Sequence, residues 1–271
     1  MEKSIYLFFC ILLAVGIIFW RALTELLGLE IDFSPKTEKV LGTIKRLLIT
    51  LLWINVIIKL GYAQFNGLYR KKIANPHALL PPVGIMLFLL AMKLLSLDNL
   101  ILSDMAIVAI FYLSVGISEE LLMRGIVFPF LIEKLGTSKK MIFLAALLSS
   151  IIFGLFHLIN FMDPTRTSDE VLGQVITAVP VGFFLAALLL KVESIWAVAF
   201  LHGLVNFALG NSDYTSVPKN EVPNNLESEP SLWGTIFFYL VFMGIFYNGV
   251  LIIRKTDHQK VEQLLYGKKL S

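Results

Sequence analysis

An all-α polytopic membrane bundle of about eight transmembrane helices is the fold the sequence predicts, and three observations carry that prediction. Hydrophobic residues make up 57% of the 271 positions and charged residues only 16%. The mean hydropathy is +0.78, far above that of an ordinary soluble domain. The apolar residues are also gathered into runs close to the ~20 residues that a helix needs to cross ~30 Å of hydrocarbon. Polar residues collect between the runs, so residues 1–271 read as a single integral membrane domain with nothing soluble attached.

The runs lie near 4–24, 46–68, 79–97, 104–128, 139–162, 171–190, 194–210 and 232–253. The first is preceded by Lys3 as its one cation, exceeds a signal h-region in length and lacks a small-residue cleavage site. It reads as a retained helix or an uncleaved signal anchor. Cys10 lies within it and, as the one cysteine of the chain, cannot form an internal disulfide. The longest polar interruption, "GNSDYTSVPKNEVPNNLESEP" from Gly210 to Pro230, has the Asn, Ser, Pro and Glu content of a loop, and residues 211–231 are assigned to it. No repeat of 20 to 50 residues, no glycine-rich phosphate loop and no basic-aromatic patch is present, which argues against a solenoid, a nucleotide site and a nucleic-acid partner.

Formal net charge is +3, and its distribution is more informative than its size. With eight spans, both termini share a side with Arg70, Lys71 and Lys72, with Lys134, Lys139 and Lys140, with Lys191, and with the basic residues from Arg254 onward. These outnumber the cations of the opposite side, Arg21, Lys36, Lys39, Lys45, Arg46, Arg166 and Lys219, so both termini are expected in the cytoplasm. Lys59, Lys93 and Arg124 fall inside spans; the lysines can snorkel, whereas Arg124 lies deeper.

The stretch "VGISEELLMR", Val115 to Arg124, places two carboxylates and an arginine in the middle of a span. Glu120 and Arg124 are four apart, share a helix face and can pair. Glu119 points about 100° away, so the arginine does not neutralise it within the helix. A charge there must face protein or water, because leaving it in hydrocarbon costs a few kcal/mol. A carboxylate in such surroundings becomes a stronger base, as general-base catalysis requires. A buried Glu-Arg pair that only fixes helix packing is the structural alternative.

Two further runs carry "IFGLFHLIN" with His157 and "AFLHGLVNF" with His202 and Asn206. Phe153 and His157 project together, as do His202 and Asn206. One histidine in a membrane helix is commonly a helix-helix hydrogen bond; two histidines, two glutamates, an arginine and an asparagine over three spans point to chemistry. Glu119 and His157 lie equally far from a turn centred near Ser138, which predicts similar depth in an antiparallel hairpin. His202 lies much closer to its own turn near Glu193, so equal depth requires tilt or a hairpin projecting into the cytosol.

These motifs resemble those of the CPBP intramembrane proteases, a family that includes the type II CAAX prenyl endopeptidases and bacteriocin-processing and immunity-type members. Glu119-Glu120-Leu-Leu-Met-Arg124, Phe153-Gly-Leu-Phe-His157 and His202-Gly-Leu-Val-Asn206 stand in the family's order, and residues 104–210 would form the catalytic core. The resemblance implies hydrolysis of a peptide bond in a membrane-associated or lipidated protein or peptide, prenylated or not. It makes Glu119 the base that activates water, His157 a residue sharing that water, Glu120 and Arg124 a supporting pair, and His202 and Asn206 donors to the oxyanion. Two histidines and a glutamate are also an acceptable zinc set, but no His-Glu-x-x-His helix is present. The resemblance favours a mechanism without a cofactor. A catalytically silent scaffold or immunity protein is the alternative from another class. A proton-coupled transporter is a third, against which no inverted repeat or matching pair of broken helices is found.

Overall fold

The computed structural model describes residues 2–18, 33–95, 102–162, 166–210 and 232–267. Ten α-helices run along the described residues: α1 (Glu2–Ile18), α2 (Pro35–Leu60), α3 (Leu80–Leu95), α4 (Leu102–Leu122), α5 (Phe128–Leu135), α6 (Lys139–Phe156), α7 (Ser168–Val192), α8 (Ile195–Leu209), α9 (Leu232–Lys255) and α10 (His258–Tyr266). A 3-10 turn at Pro76–Leu79 leads into α3, a π turn at Met123–Val127 joins α4 to α5, and a 3-10 turn at His157–Met162 follows α6. No strand occurs among the described residues.

Six helical stretches are long and apolar enough to cross a membrane: Pro35–Leu60, Pro76–Leu95, Leu102–Leu135, Lys139–Met162, Ser168–Val192 and Ile236–Lys255. The other two predicted runs correspond to α1, described over 17 residues, and α8, of 15. The chain is therefore a multi-pass helical membrane protein. Its lipid-facing character shows in apolar side chains left open on α3 and α9, such as Phe88 at 64% and Phe237 at 69% exposure. The predicted polar loop at 211–231 lies outside the described residues, as do Arg21 and Lys219.

Helix ends follow the local chemistry. Ser34 accepts a hydrogen bond from the Thr37 amide, Pro35 opens α2, and Gly61 closes it in the left-handed region with its N–H on Ile57 and Ile58 carbonyls. The span thus starts well before the apolar run at 46. Lys36, Lys39, Lys45 and Arg46, predicted as loop cations, instead lie on α2, because the Ser-Pro start signal outweighs their charge. Ser138 caps α6, and Thr167 with Glu170 forms a capping box on α7.

The chain divides into two compact units, the first Met1–Ala63, Leu79–Ile126 and Ile195–Ser216, the second Gln64–Ala78, Val127–Ser194 and Val217–Ser271. In the first, α4 packs against α8 and α2, α3 against α8, and α1 against α2. The α4–α8 contact is a close backbone approach. A Cβ added at Gly116 would meet the Gly203 nitrogen at 2.3 Å, and one added at Gly203 would meet the Leu113 Cα at 2.8 Å. Small residues at this crossing let two membrane helices touch along their backbones.

In the second unit, α7 packs against α6 and α9. Phe183 is fully buried there, with the Phe143 ring at 5.2 Å and the Phe246 ring at 4.5 Å. Glu193, which closes α7 at φ 52, sends its carboxylate to Arg70 and Lys260. Asn75 and Ala74 bond the last α7 carbonyls, Lys191 and Val192. This knot ties the 64–78 segment and α10 to the C-terminal end of α7.

Candidate active site

The site in the first unit grows out of the α4–α8 crossing. Gly116 lies one turn before Glu120 on α4, and Gly203 adjoins His202 on α8, so the backbone contact brings these side chains within reach. Ser114 and Ser118, buried on the same stretch of α4, turn their hydroxyls back to the Phe111 and Val115 carbonyls at 2.7 and 2.9 Å. Back-bonding keeps these polar groups satisfied without drawing on the charged residues.

At the end of α4 the helix widens into the π turn at Met123–Val127. The sequence predicts an unbroken helix here, and the difference has a cause. Pro129 has no N–H and its ring clashes with the carbonyl four residues back, that of Gly125, so the ladder must shift. The wider turn holds Arg124, whose side chain is 0% exposed.

Arg124 Nη1 lies 3.0 Å from Glu120 Oε1, the pairing expected from the helix wheel, and Glu120 is also 0% exposed. His202 Nδ1 donates to the same Glu120 oxygen at 2.7 Å. On the other side of the ring, His202 Nε2 lies 3.6 Å from Glu119 Oε2, an ion-pair distance rather than a hydrogen bond. The imidazole therefore stands between two carboxylates, one sealed and one, Glu119, 35% exposed. Glu119 has no partner on its own helix among the described residues; its neighbour comes across from α8. Because Nδ1 donates to Glu120, neutral His202 offers Nε2 as an acceptor, and donation from Nε2 requires the imidazolium.

Asn206 lies one turn beyond His202 and is partly buried. Its backbone carbonyl accepts from Gly210 N at 2.8 Å, while its side-chain amide bonds no other described residue. That leaves the amide able to donate to a ligand.

His157 belongs to the second unit. It caps α6 and opens the following 3-10 turn, with Nδ1 donating to the Phe153 carbonyl at 2.9 Å and the Phe153 ring edge-on at 4.8 Å. That bond fixes the tautomer, so Nε2 is an acceptor suited to a water proton. Asn160 Nδ2 bonds Gln174 Oε1 at 2.7 Å and ties the 3-10 turn to α7. Gly154, three residues before His157, lets α6 close on α7, where a Cβ would meet Val179 Cγ2 at 2.7 Å.

The first unit thus brings Glu119, Glu120, Arg124 and His202 together, with Asn206 one turn further along. Among the described residues, no group of three or more His, Cys, Asp or Glu could hold a metal ion. Arg46 is a residue the sequence reading missed as part of this neighbourhood. It stacks on Phe111 of α4 with its Cζ 4.7 Å from the ring centroid, and it is near enough to Glu119 for their charges to interact. The signal was the Ser34-Pro35 helix start, which puts residue 46 on a span.

Residues 101–208 match the family model for type II CAAX prenyl endopeptidase Rce1-like proteins. The match supports the CPBP family that the motifs resemble. The matched stretch contains all three motifs, and the similarity supports an intramembrane CAAX-type protease fold. No curated protein and no solved structure matches the chain. The match ends at 208, so α1, α2, α3, α9 and α10 all fall outside it.

Proposed function

We propose that this protein is an intramembrane endopeptidase that cleaves a membrane-associated or lipidated protein or peptide, with water activated at Glu119. The observation that carries the reading is the chain of contacts from sealed Arg124 through Glu120 and His202 to the more open Glu119, within a segment that matches a CAAX protease family. Three members of the chain are nearly inaccessible, and Glu119 is the end a substrate can reach.

In the proposed reaction, Glu119 takes a proton from water as the water oxygen adds to the scissile carbonyl carbon. The electron pair of the carbonyl moves to oxygen, and the resulting oxyanion is met by the Asn206 amide and by Nε2–H of the His202 imidazolium. Collapse of the intermediate breaks the C–N bond, and Glu119 returns its proton to the leaving amine. Glu120 and Arg124 hold the His202 ring in place. His157 enters as a second acceptor for the water on the strength of its motif, and its Nδ1–H bond to Phe153 leaves the nitrogen such a role needs. Residues 104–210 are the proposed catalytic core, and both termini are proposed to be cytoplasmic from the basic residues grouped with them.

No metal is required by this scheme. A zinc-dependent version of the same hydrolysis is the rival, since Glu119, His157 and His202 are acceptable ligand types. The reading is tested by mass spectrometry of membrane peptides from cells with the parent, with Glu119→Gln and with the gene deleted. Proteolysis predicts that Glu119→Gln reproduces the deletion. A Glu119→Gln strain indistinguishable from the parent would favour the silent scaffold.

A further inference from the structure

The cations at one end of the second unit fall into two groups. Arg70 and Lys260 have their charges taken up by Glu193. Lys139 and Lys140, the first two residues of α6, and Arg254 and Lys255, the last two of α9, have no carboxylate within ion-pair distance among the described residues. All four are exposed. The two helices meet directly, and Lys139 Nζ donates to the Arg254 carbonyl at 3.3 Å, so the four charges gather at one seam. That bond leaves the ammonium its full charge, because a carbonyl carries none.

Helix stability does not explain them all. Arg254 and Lys255 lie in the last turn of α9, where the helix dipole favours cations. Lys139 and Lys140 occupy the first turn of α6, where the dipole opposes them, and no acidic residue shares that turn. Two lysines kept where their helix disfavours them, beside two further cations, call for negative charge from outside the described chain.

Next to this cluster the surface of α9 is apolar. Met243, Tyr247 and Leu251 precede Arg254 at helical spacing and share its face. Met243 and Tyr247 are open, at 61% and 57% exposure. From Met243 to Arg254 is eleven residues, or about 16 Å along the axis. That is close to half of the ~30 Å hydrocarbon core, so one leaflet's depth of apolar side chain ends at a cluster of positive charge. A soluble anion would use the charges and leave the stripe, and a purely apolar partner would do the reverse. A phospholipid with a net negative headgroup uses both, with its phosphate among the cations and an acyl chain along α9. We propose that the α6–α9 seam is a binding site for an anionic phospholipid. None of the residues in the proposed reaction takes part, and the site does not depend on the proteolytic reading.

The test uses the full-length chain in neutral detergent, with native mass spectrometry following the binding of dioleoylphosphatidylglycerol and of dioleoylphosphatidylcholine, which has the same chains. The parent should bind the anionic lipid at least ~10-fold tighter. Lys140→Gln with Lys255→Gln removes two side chains that bond no described residue, so the fold should be kept and most of the preference lost. Lys71→Gln with Lys72→Gln removes the same charge from the 64–78 segment and should leave the preference in place. Glycerophosphoglycerol, the headgroup without its chains, should not displace the lipid at equal concentration. Equal binding of the two lipids by the parent overturns the proposal, as does a preference that survives Lys140→Gln with Lys255→Gln. An equal loss in both double variants would mean diffuse charge rather than a site, and would overturn it too. Displacement by the chainless headgroup would assign the seam to a soluble phosphodiester and reject the lipid.

Discussion

Glu120 in the first unit and Glu193 in the second are both carboxylates with almost no exposure, at 0% and 2%, and they are neutralised in different ways. Glu193 draws on Arg70 and Lys260, whose side chains are 33% and 50% exposed. Removing it would release two cations that can turn to solvent. Glu120 draws on Arg124 and His202, at 0% and 5% exposure, which have nowhere to go. The Glu193 knot also stops at its own partners, whereas the Glu120 group continues through His202 to Glu119. The Glu193 arrangement holds a helix end; the Glu120 arrangement holds a half-open carboxylate, the proposed base, at a fixed place.

The largest effect expected from this contrast is in Glu120→Ala. Stranding Arg124 and His202 should cost about 3–5 kcal/mol, read as low yield and a lowered melting temperature. Expression and melting equal to the parent would mean the pair is not buried. Next comes Asn206→Ala, which removes a proposed oxyanion donor and should lower turnover by about 10²–10³ with little change in KM. A rise in KM at constant kcat would instead make Asn206 a binding residue.

A smaller loss is expected where the backbone crossing is disturbed. In Gly116→Ala the added methyl meets backbone atoms of Gly203 at 2.3 and 2.6 Å, so overpacking should cost about 1–3 kcal/mol and separate His202 from Glu120. Gly173→Ala is the control, since nothing lies within 4 Å of a Cβ at that position, and it should be neutral or slightly stabilising. The smallest effect belongs to Glu193→Gln, at about 1 kcal/mol of stability with turnover kept, because its cations rehydrate. Loss of turnover there as severe as in Asn206→Ala would erase the distinction between the two knots.

Much of the site was readable before any coordinates. The four-residue spacing of Glu120 and Arg124 gave their pairing, the apolar runs gave the helices, and the motif order gave the family. What was not readable depends on contacts between distant parts of the chain. Gly116 and Gly203 look like ordinary membrane glycines until they face one another, so the meeting of His202 with both glutamates could not be derived from helix wheels. The π turn at Arg124 had a signal in Pro129, but its place inside an apolar run concealed it. Arg46 was misplaced because four cations between 36 and 46 resemble a loop, whereas a Ser-Pro start and long side chains let them ride on α2. The short run at 194–210 raised the question of His202 depth. The structure gives its cause: α8 has 15 residues, or about 22 Å of helix against ~30 Å of hydrocarbon.

The central claim is that Glu119 activates water directly, and it is tested most directly by turnover of the purified protein in nanodiscs on a peptide the parent cleaves. The account predicts that Glu119→Gln loses detectable cleavage while melting like the parent, and that the parent keeps full activity after exhaustive chelation. Cleavage retained in Glu119→Gln would remove Glu119 from the chemistry. One zinc per chain, lost in His157→Ala and needed to restore a chelated sample, would contradict the account in favour of a metalloprotease.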